Sequence, residues 1–322
     1  MHIHSVRRAA LAACVFAIAA ASTASAASVT TQLRVEAGGH DVGPGWQHAH
    51  DSVTYDTSRS AACNGSGESG SITGPTALGL LVQAADYTRR LNPVQISDQF
   101  DFGPFVCGVG GFESNDTAFW LYKVDHVSPE VGGDQFPINS SGHEVLWYLM
   151  DTATGANTGN ELFLSTGDRV VKAGDPVSVT VLEYDATGES TPAVGVRIVG
   201  GGDELTDATG VAELVFDEPG RQFIRGVRGI DVPTDALRLC VWEESATECD
   251  MFVAGRVVGT HDDDRIRGTD EPDRIIGRDG DDRITSRGDD AADAVRCGPG
   301  NDVARVDRRD RVARNCETVR RR

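Results

Sequence analysis

The sequence has few lysines and few aromatic residues, and past its first 26 residues it has no long apolar run. Only Lys123 and Lys172 are lysines, and aromatic residues make up 6% of the 322 positions. No stretch after the first 26 residues reaches the roughly 18 apolar residues that a membrane-spanning helix needs. The serine-hydrolase motif G-x-S-x-G and the zinc-protease motif H-E-x-x-H do not occur either. The sequence therefore predicts a protein with no membrane span and no enzymatic activity.

Positive charge is also scarce, because 30 Lys and Arg stand against 49 Asp and Glu and give a net charge of -19. This balance disfavours a protein that wraps nucleic acid or lies on anionic lipid, and it favours hard cations as partners. The charge is unevenly spread. Residues 27–258 carry 33 acidic and 13 basic residues, whereas 259–322 carry 16 acidic and 15 basic residues. The C-terminal segment is therefore charge-dense but nearly neutral.

The first 26 residues have the three parts of a secretory signal peptide. Arg7 and Arg8 precede an apolar run over 9–21, and small residues at 24–26 provide a cleavage site. We expect the mature chain to begin at Ala27 and to be secreted, either extracellular or at the cell surface. An alternative interpretation is a lipoprotein box that ends at Cys14, although few apolar residues precede that cysteine.

No C-x-x-C spacing occurs among the six cysteines that follow the signal peptide, which disfavours a thiolate zinc site. Six cysteines allow fifteen pairings, but these six fall into three sequence-local pairs. Disulfides are typical of an oxidising compartment, which agrees with secretion. The predicted disulfides are Cys63–Cys107, Cys240–Cys249 and Cys297–Cys316.

The segment 27–165 has a mixed pattern that predicts a small α+β domain. Alternating apolar residues predict strands near Leu33 and at 105–109, 119–124 and 144–150. After Pro75, apolar residues recur at the i, i+3, i+4, i+7 spacing of one buried helical face, with Thr73 as a possible N-cap. One helix lying on a sheet is the expected arrangement.

The aromatic strand 119–124 and the later strand 145–148, which contains Trp147, carry a resemblance in this segment. Together with the order of elements, they resemble the transcobalamin C-terminal-like domain of secreted bacterial proteins. The resemblance implies a β-grasp-like fold and a role in binding a small ligand such as cobalamin. The large helical domain that completes the cobalamin site in vertebrate carriers has no counterpart here. A speculative ligand platform consists of Trp120, Tyr122 and Trp147, and it requires an apolar pocket beside these rings.

The segment 166–256 predicts an all-β domain. Val177, Val179 and Val181 alternate with polar residues, and Gly- and Asp-rich turns separate further short apolar runs. This spacing is typical of an antiparallel sandwich. The runs 192–198 and 206–212 resemble bacterial immunoglobulin-like modules, which implies a role as a spacer or in adhesion.

The segment 257–322 contains a nine-residue repeat. Asp264, Asp273 and Asp282 recur every nine residues, and an isoleucine follows each of them two positions later. After a two-residue insertion the pattern continues with Asp293 and Asp302. The glycines that open the repeats allow left-handed backbone angles, and the apolar residues predict short strands that fill the space between stacked coils. Two repeats form one coil, so aspartates about two repeats apart are expected to meet.

This segment resembles the RTX, or hemolysin-type, calcium-binding repeats, and 277–285 is the best match. The resemblance implies structural Ca²⁺ held by carboxylate and carbonyl oxygens in the turns. A charge-rich solvated tail with chance periodicity is the alternative. The predicted metal residues are Asp264, Asp273, Asp282, Asp293, Asp302, Gly277, Asp279 and Gly280.

The sequence as a whole predicts a mainly β multidomain protein. It comprises a small α+β, β-grasp-like domain, an immunoglobulin-like β-sandwich and a short parallel β-roll. The predicted function is that of a secreted non-enzymatic calcium-binding protein with an N-terminal binding module. An extracellular carrier of a small ligand and a surface adhesin that binds a protein or a glycan remain as alternatives.

Overall fold

A computed structural model describes residues 29–38, 40–50, 52–249, 255–259, 261, 263–268, 272–286 and 291–322. The predicted signal peptide at 1–26 lies outside these residues. Among the described residues, no helix is long and apolar enough to cross a membrane. The chain is mainly β, as predicted, and it has separate hydrophobic cores in its first, middle and last parts.

The first part is a small α+β unit. Its elements are β1 (Val29–Ala37), β2 (His40–His50), β3 (Val53–Asp56), β4 (Ser69–Ile72), α1 (Ala77–Tyr87), β5 (Val94–Ser97), β6 (Phe105–Val109), β7 (Phe112–Glu113), β8 (Ala118–Val124) and β9 (Glu144–Asp151). Strand β1 is antiparallel to β2 and parallel to β9, and β8 is antiparallel to β9. Leu78, Leu80 and Leu81 of α1 are fully buried in the core of this unit. Each of these leucines contributes about 1.5–3 kcal/mol of transfer free energy.

Helix α1 begins one turn later than the sequence predicts. Thr76 is the N-cap, and its side-chain oxygen accepts a hydrogen bond from the Gly79 amide at 3.0 Å. The prediction of Thr73 as the cap is therefore wrong. Thr76 has an extended backbone and forms a β-bridge with Pro137, which keeps Pro75 and Thr76 outside the helix.

The middle part is a β-sandwich. Its elements are β10 (Glu161–Thr166), β11 (Val170–Lys172), β12 (Pro176–Tyr184), β13 (Ser190–Pro192), β14 (Arg197–Val199), β15 (Val211–Val215), β16 (Gly220–Val227), β17 (Leu237–Trp242) and a 3₁₀ turn at Ala246–Cys249. One sheet contains β10, β12, β13 and β15, and the other has the order β11-β17-β16-β14. All pairs are antiparallel except β11 with β17. Strand β10 pairs with β12, so Glu161–Thr166 belongs to a sheet of the sandwich.

The last part is a short parallel β-roll. Its strands are β18 (Gly255–Val258), β19 (Arg265–Arg267), β20 (Asp273–Ile276), β21 (Arg283–Thr285), β22 (Ala294–Arg296), β23 (Val303–Val306), β24 (Arg311–Val312) and β25 (Thr318–Arg321). Successive strands alternate between two all-parallel stacks, β18-β20-β22-β24 and β19-β21-β23-β25. Ile266, Ile275 and Ile284 are buried between the stacks. Two repeats therefore form one coil, as the nine-residue period predicts.

The roll and the first part share one sheet. Strand β18 pairs in parallel with β2, through Val257 opposite Gln47 and Val258 opposite His48. The sheet has the order β24-β22-β20-β18-β2-β1-β9-β8, so it continues from the α+β unit into the roll. The sandwich lies between these two parts in the sequence but contributes no strand to their common sheet.

The three predicted disulfides are confirmed. Cys63–Cys107, Cys240–Cys249 and Cys297–Cys316 have Cα–Cα distances of 5.3, 5.5 and 5.1 Å. Each disulfide lies within one of the three parts of the chain. The last one joins the end of β22 to the segment before β25, so it closes the final coil of the roll.

Candidate metal centre

Six aspartates of the roll are buried where its strands begin. Each of them is at most 4% exposed, although aspartate is seldom fully buried without a partner. They form two columns that run across the coils: Asp264, Asp282 and Asp302 beside β19, β21 and β23, and Asp273, Asp293 and Asp310 beside β20, β22 and β24. Five of the six are predicted metal residues, and Asp310 is the additional member.

Backbone amides connect the aspartates of each column. In the first column, the Asp264 amide donates to Asp282 Oδ1 at 2.9 Å, and the Asp282 amide donates to Asp302 Oδ1 at 2.8 Å. In the second column, the Asp273 amide donates to Asp293 Oδ1 at 2.8 Å. Each coil is therefore attached to the next through one carboxylate oxygen, Oδ1.

In the first column, the Oδ2 atoms of two aspartates are the main indication of a bound cation. Within the described residues, Oδ2 of Asp282 and Oδ2 of Asp302 are buried without any hydrogen-bond partner. Buried polar atoms are nearly always satisfied, so each unpaired atom calls for an explanation. A bound cation would satisfy both oxygens.

Glycines bring backbone carbonyls to the same place. A Cβ atom at Gly277 would collide with Asp282 Oδ2 and with the carbonyl oxygen of Cys297. The same relation holds one coil earlier, where a Cβ atom at Gly259 would collide with Asp264 Oδ2 and the carbonyl oxygen of Gly277. A carboxylate and a carbonyl from adjacent coils thus converge twice on a glycine. Oxygen donors of these two kinds are those that Ca²⁺ takes.

The surroundings of the Asp282 carboxyl group disfavour its ionised form. Burial above all, together with the carboxylates of Asp264, Asp302 and Asp263, raises the pKa of Asp282 to about 7 against the opposing effect of the Asp264 amide. Burial also raises the pKa of Asp302. A divalent cation would relieve both the desolvation and the mutual repulsion of these carboxylates.

In the second column, Asp310 and Gly268 are placed less favourably for a cation. Ser286 Oγ donates to Asp310 Oδ2 at 2.9 Å, so this oxygen already has a partner. At Gly268 a Cβ atom would lie 3.0 Å from Asp273 Oδ2, but no carbonyl oxygen is among its three nearest atoms. Asp310 is therefore less suited to hold a cation than Asp282 and Asp302 are.

The turn between β20 and β21 contains the remaining predicted metal residues. Gly277 is buried, whereas the Asp279 side chain is 58% exposed and lies 2.9 Å from Nδ1 of His261. Gly280 has a φ of +112°, and its amide donates to the Pro299 carbonyl. The described residues contain no group of three or more His, Cys, Asp or Glu side chains placed to hold a metal ion. Backbone carbonyls would therefore have to supply much of any coordination shell.

Comparisons with known proteins do not extend the resemblances drawn from the sequence. No protein-family model, curated protein or solved structure matches this chain. The assignment of the aspartate columns to a cation therefore depends on the geometry of the roll itself.

The aromatic rings of the speculative ligand platform lie in the core of the first part. Trp120 and Trp147 are 2% and 4% exposed, and Tyr122 stacks on Trp147 with 5.0 Å between ring centroids. Their polar atoms are bonded to backbone carbonyls: Trp120 Nε1 to Phe112, Trp147 Nε1 to Ala77 and the Tyr122 hydroxyl to Val131. The structure thus uses these rings for packing, and a ligand would have to displace them to bind there.

A surface cleft of the first part lies elsewhere. It has a volume of about 490 Å³ between the β3–β4 hairpin, α1 and β5. Its lining includes the polar side chains of Tyr55, Asp56, Asp86 and Asn92. Asp56 accepts a hydrogen bond from Ser69 at 2.6 Å. The cleft therefore combines polar and acidic side chains with apolar ones, and its lining includes none of the three rings beside which the ligand platform would require an apolar pocket.

Sequence reasoning missed a buried cluster of charges between the first part and the sandwich. We call it the Arg34 cluster; its members are Arg34, Glu36, Lys123, Glu144, Glu161 and Arg225. Arg34 is fully buried, and its guanidinium group lies 3.5 Å from Glu36, 3.7 Å from Glu144 and 3.2 Å from Glu161. It also donates to the carbonyl oxygens of Leu162 and Pro233 in the sandwich.

Further ion pairs connect Arg225 of the sandwich and Lys123 of the first part to the other members of the Arg34 cluster. Arg225 of the sandwich pairs with Glu36 of β1, and Lys123 lies 3.4 Å from Glu161. His126 Nδ1 lies 3.0 Å from Glu161, and its ring stacks on Tyr184. Removing one partner from a buried ionic network typically costs about 3–5 kcal/mol, because a charge is left uncompensated. The cluster therefore fixes the first part against the sandwich.

The carboxylates of the Arg34 cluster have opposite pKa shifts. Burial above all, against the opposing charge of Arg34 and with a smaller increase from Glu161, raises the pKa of Glu144 to about 7. Burial also acts to raise the pKa of Glu161, but hydrogen bonding to His126 and the charges of Arg34 and Lys123 lower it below its ordinary value. Glu161 therefore acts as a counter-ion for Arg34 and Lys123.

Proposed function

We propose that this protein is a secreted, non-enzymatic calcium-binding protein whose C-terminal roll is stabilised by Ca²⁺. The unpartnered, buried Oδ2 atoms of Asp282 and Asp302 carry the proposal. Asp264, Asp282 and Asp302 would hold the cation together with carbonyl oxygens of the glycine-containing turns. Bound calcium would neutralise the carboxylate column and connect successive coils.

The rest of the chain supports an extracellular role. Three disulfides fit an oxidising compartment, and calcium is abundant outside cells. The α+β part would serve as a binding module, and the sandwich would act as a spacer or an adhesive module. A calcium affinity typical of extracellular modules, near 10⁻⁴ M, would stabilise each site by about 1.4 kcal/mol at millimolar calcium.

A calcium titration of the full chain tests the proposal. The full chain is required because β18 pairs with β2, so an isolated roll would lack a neighbouring strand. Calorimetric titration should show saturable calcium binding, and the thermal midpoint of the roll should rise by a few degrees. Magnesium at the same concentration should do neither, because it prefers a rigid octahedral shell that retains water.

Two variants show whether the first column is the site. Asp282→Asn keeps an oxygen that can accept the Asp264 amide but removes the charge, so it should abolish the thermal shift. Asp203→Asn, at an exposed turn of the sandwich, is the matched control and should retain the full shift. The proposal fails if calcium has no effect on the wild-type protein, or if Asp282→Asn responds as the control does.

A second candidate function is supported by the cleft between the β3–β4 hairpin and α1. Its carboxylates and amide favour a small polar ligand with hydroxyl or ammonium groups over an apolar cofactor. Asp86→Asn should weaken binding of such a ligand without changing the calcium response. If a ligand bound only after the aromatic core had been disrupted, its binding site would instead be the platform of Trp120, Tyr122 and Trp147.

A further inference from the structure

The outer face of one stack of the roll is rich in arginine. The two outward positions on each strand of the β19-β21-β23-β25 stack flank a central residue that points toward the roll interior. Five of these eight positions are arginine, and none is acidic. The eight residues are Arg265 and Arg267, Arg283 and Thr285, Val303 and Arg305, and Thr318 and Arg320. We call this surface the arginine face.

The register of the stack aligns these arginines in two columns across the strands. Arg265 pairs with Arg283 in the first column, and Arg305 pairs with Arg320 in the second. Neighbouring strands lie about 4.8 Å apart, so like charges are adjacent without any intervening side chain. Within the described residues, none of the five guanidinium groups forms an ion pair, and all five side chains are exposed.

Adjacent like charges on a sheet are destabilising unless counter-ions neutralise them. Guanidinium groups bind phosphate oxygens through paired N–H donors. Each of the four strands carries at least one of these arginines, and they are paired across β19–β21 and across β23–β25, so they suit a chain of phosphates that crosses the strands. The net charge of -19 disfavours broad anionic surfaces as partners. The arginines, however, are confined to one face, so the net charge does not prevent a phosphate polymer from binding there.

The borders of the arginine face favour a narrow ligand. Asp263 and Asp281 are exposed and lie two residues before the first column, where the Asp281 amide donates to Asp263 Oδ1 at 2.7 Å. Glu317 is exposed just before β25. These carboxylates would repel a flat anionic membrane, whereas a linear polymer can follow the arginine columns without meeting them. None of the eight positions is aromatic, so there is no platform on which bases could stack.

We infer that the arginine face binds a linear phosphodiester polymer, with Arg265, Arg267, Arg283, Arg305 and Arg320 contacting successive phosphates. This binding is separate from calcium binding, because it uses the outward side chains of the strands and not the buried aspartates of the turns. The calcium sites would affect it only by keeping the roll folded.

A fluorescent abasic oligodeoxynucleotide is a suitable probe, because it is a linear phosphodiester without bases. Its binding to the full-length protein is measured by fluorescence anisotropy at several salt concentrations, with free calcium held constant. If all five arginines neutralise one phosphate each, the slope of log K against log salt should be about -3.5. The double variant Arg283→Gln/Arg305→Gln should reduce this slope to about -2.1 and weaken binding roughly 25-fold at about 0.1 M salt. Circular dichroism of each variant verifies its fold.

Arg89→Gln/Arg90→Gln is the matched control, since it removes two exposed positive charges after helix α1. It should leave both the slope and the affinity close to those of the wild-type protein. Equal weakening by the control, or undiminished binding by the double variant, would overturn the inference.

Three further ligands distinguish the source of the phosphate. A thymidine oligonucleotide of the same length should bind no more tightly than the abasic probe, and tighter binding would indicate nucleic acid instead. Orthophosphate should compete only weakly, because it cannot contact several arginines at once. Vesicles with phosphatidylglycerol should not retain the protein, and retention that the double variant abolishes would make a membrane the partner and overturn the choice of a linear polymer.

Discussion

Among single residues, Glu144 has an unusual effect on stability because its pKa is raised within the folded protein. The value of about 7 exceeds the ordinary value of 4.5, so the native state binds a proton that the unfolded state has released between these two pH values. The free energy of unfolding should therefore fall as the pH rises from about 4.5 to 7. This contribution amounts to about 3 kcal/mol.

The variant Glu144→Gln should remove this pH dependence, because it cannot ionise. Its stability relative to the wild-type protein should increase between pH 5 and pH 8, as measured by urea unfolding at a series of pH values. The exposed Glu204→Gln is the control, and its difference from the wild-type protein should stay constant. Glu161 has a lowered pKa, so its stabilising contribution is lost only as the pH falls below the ordinary range of a glutamate, outside this window. A parallel offset of Glu144→Gln at every pH would contradict the assignment.

The roles of single residues were only partly predictable from the sequence. The phased aspartates and the cysteine pairs were recognised because their partners recur at short, regular separations. Arg34 could not be recognised, because an arginine in a short strand normally indicates a solvent-exposed position. It is buried because β1 is covered on its second face by the sandwich, whose Glu161 lies 127 residues away in the sequence.

At the scale of elements, the final coil of the roll depends on its disulfide. Among the described residues, β24 and β25 are each paired with one neighbouring strand, and Val319 of β25 is 40% exposed. Cys297 and Cys316 enclose a segment with a sequence separation of 19, for which loop closure predicts a contribution of about 3 kcal/mol. The disulfide thus compensates for the incomplete packing of the last coil.

The variant Cys297→Ala/Cys316→Ala should therefore loosen β24 and β25 before the rest of the roll. Hydrogen exchange followed by mass spectrometry should show a loss of amide protection in 303–322, while the sandwich strand β12 retains its protection. Cys240→Ala/Cys249→Ala, which removes the sandwich disulfide, is the matched control and should leave the roll unchanged. Unaltered exchange in 303–322 would show that the parallel pairing alone holds the coil.

The elements themselves follow from local patterns to different degrees. The strands of the roll were predictable because Ile266, Ile275 and Ile284 each follow an aspartate by two residues. The start of α1 was less predictable, since two threonines lie within one turn of its first residue. Only the bridge between Thr76 and Pro137 decides between them, and that bridge is a tertiary contact.

At the scale of the whole molecule, the sequence suggests three consecutive units, whereas the structure joins the first and last of them through one sheet. The pairing of β18 with β2 connects residues about 210 positions apart and leaves no periodic signal in the sequence. It places β2 inside an eight-stranded sheet and removes an exposed edge from the α+β part. The roll therefore covers an edge strand of the first part.

Truncation of the chain after residue 254 tests this coupling. Without β18, strand β2 becomes an edge, so its amides that face β18 should lose hydrogen-exchange protection. The amides of β1 should keep theirs, because β1 remains between β2 and β9. An open edge also favours pairing with a second chain, so size-exclusion chromatography should show association that increases with protein concentration, whereas the full-length protein should show none. If the truncated protein stays monomeric and β2 exchanges as slowly as in the full chain, the two parts are energetically independent despite their common sheet.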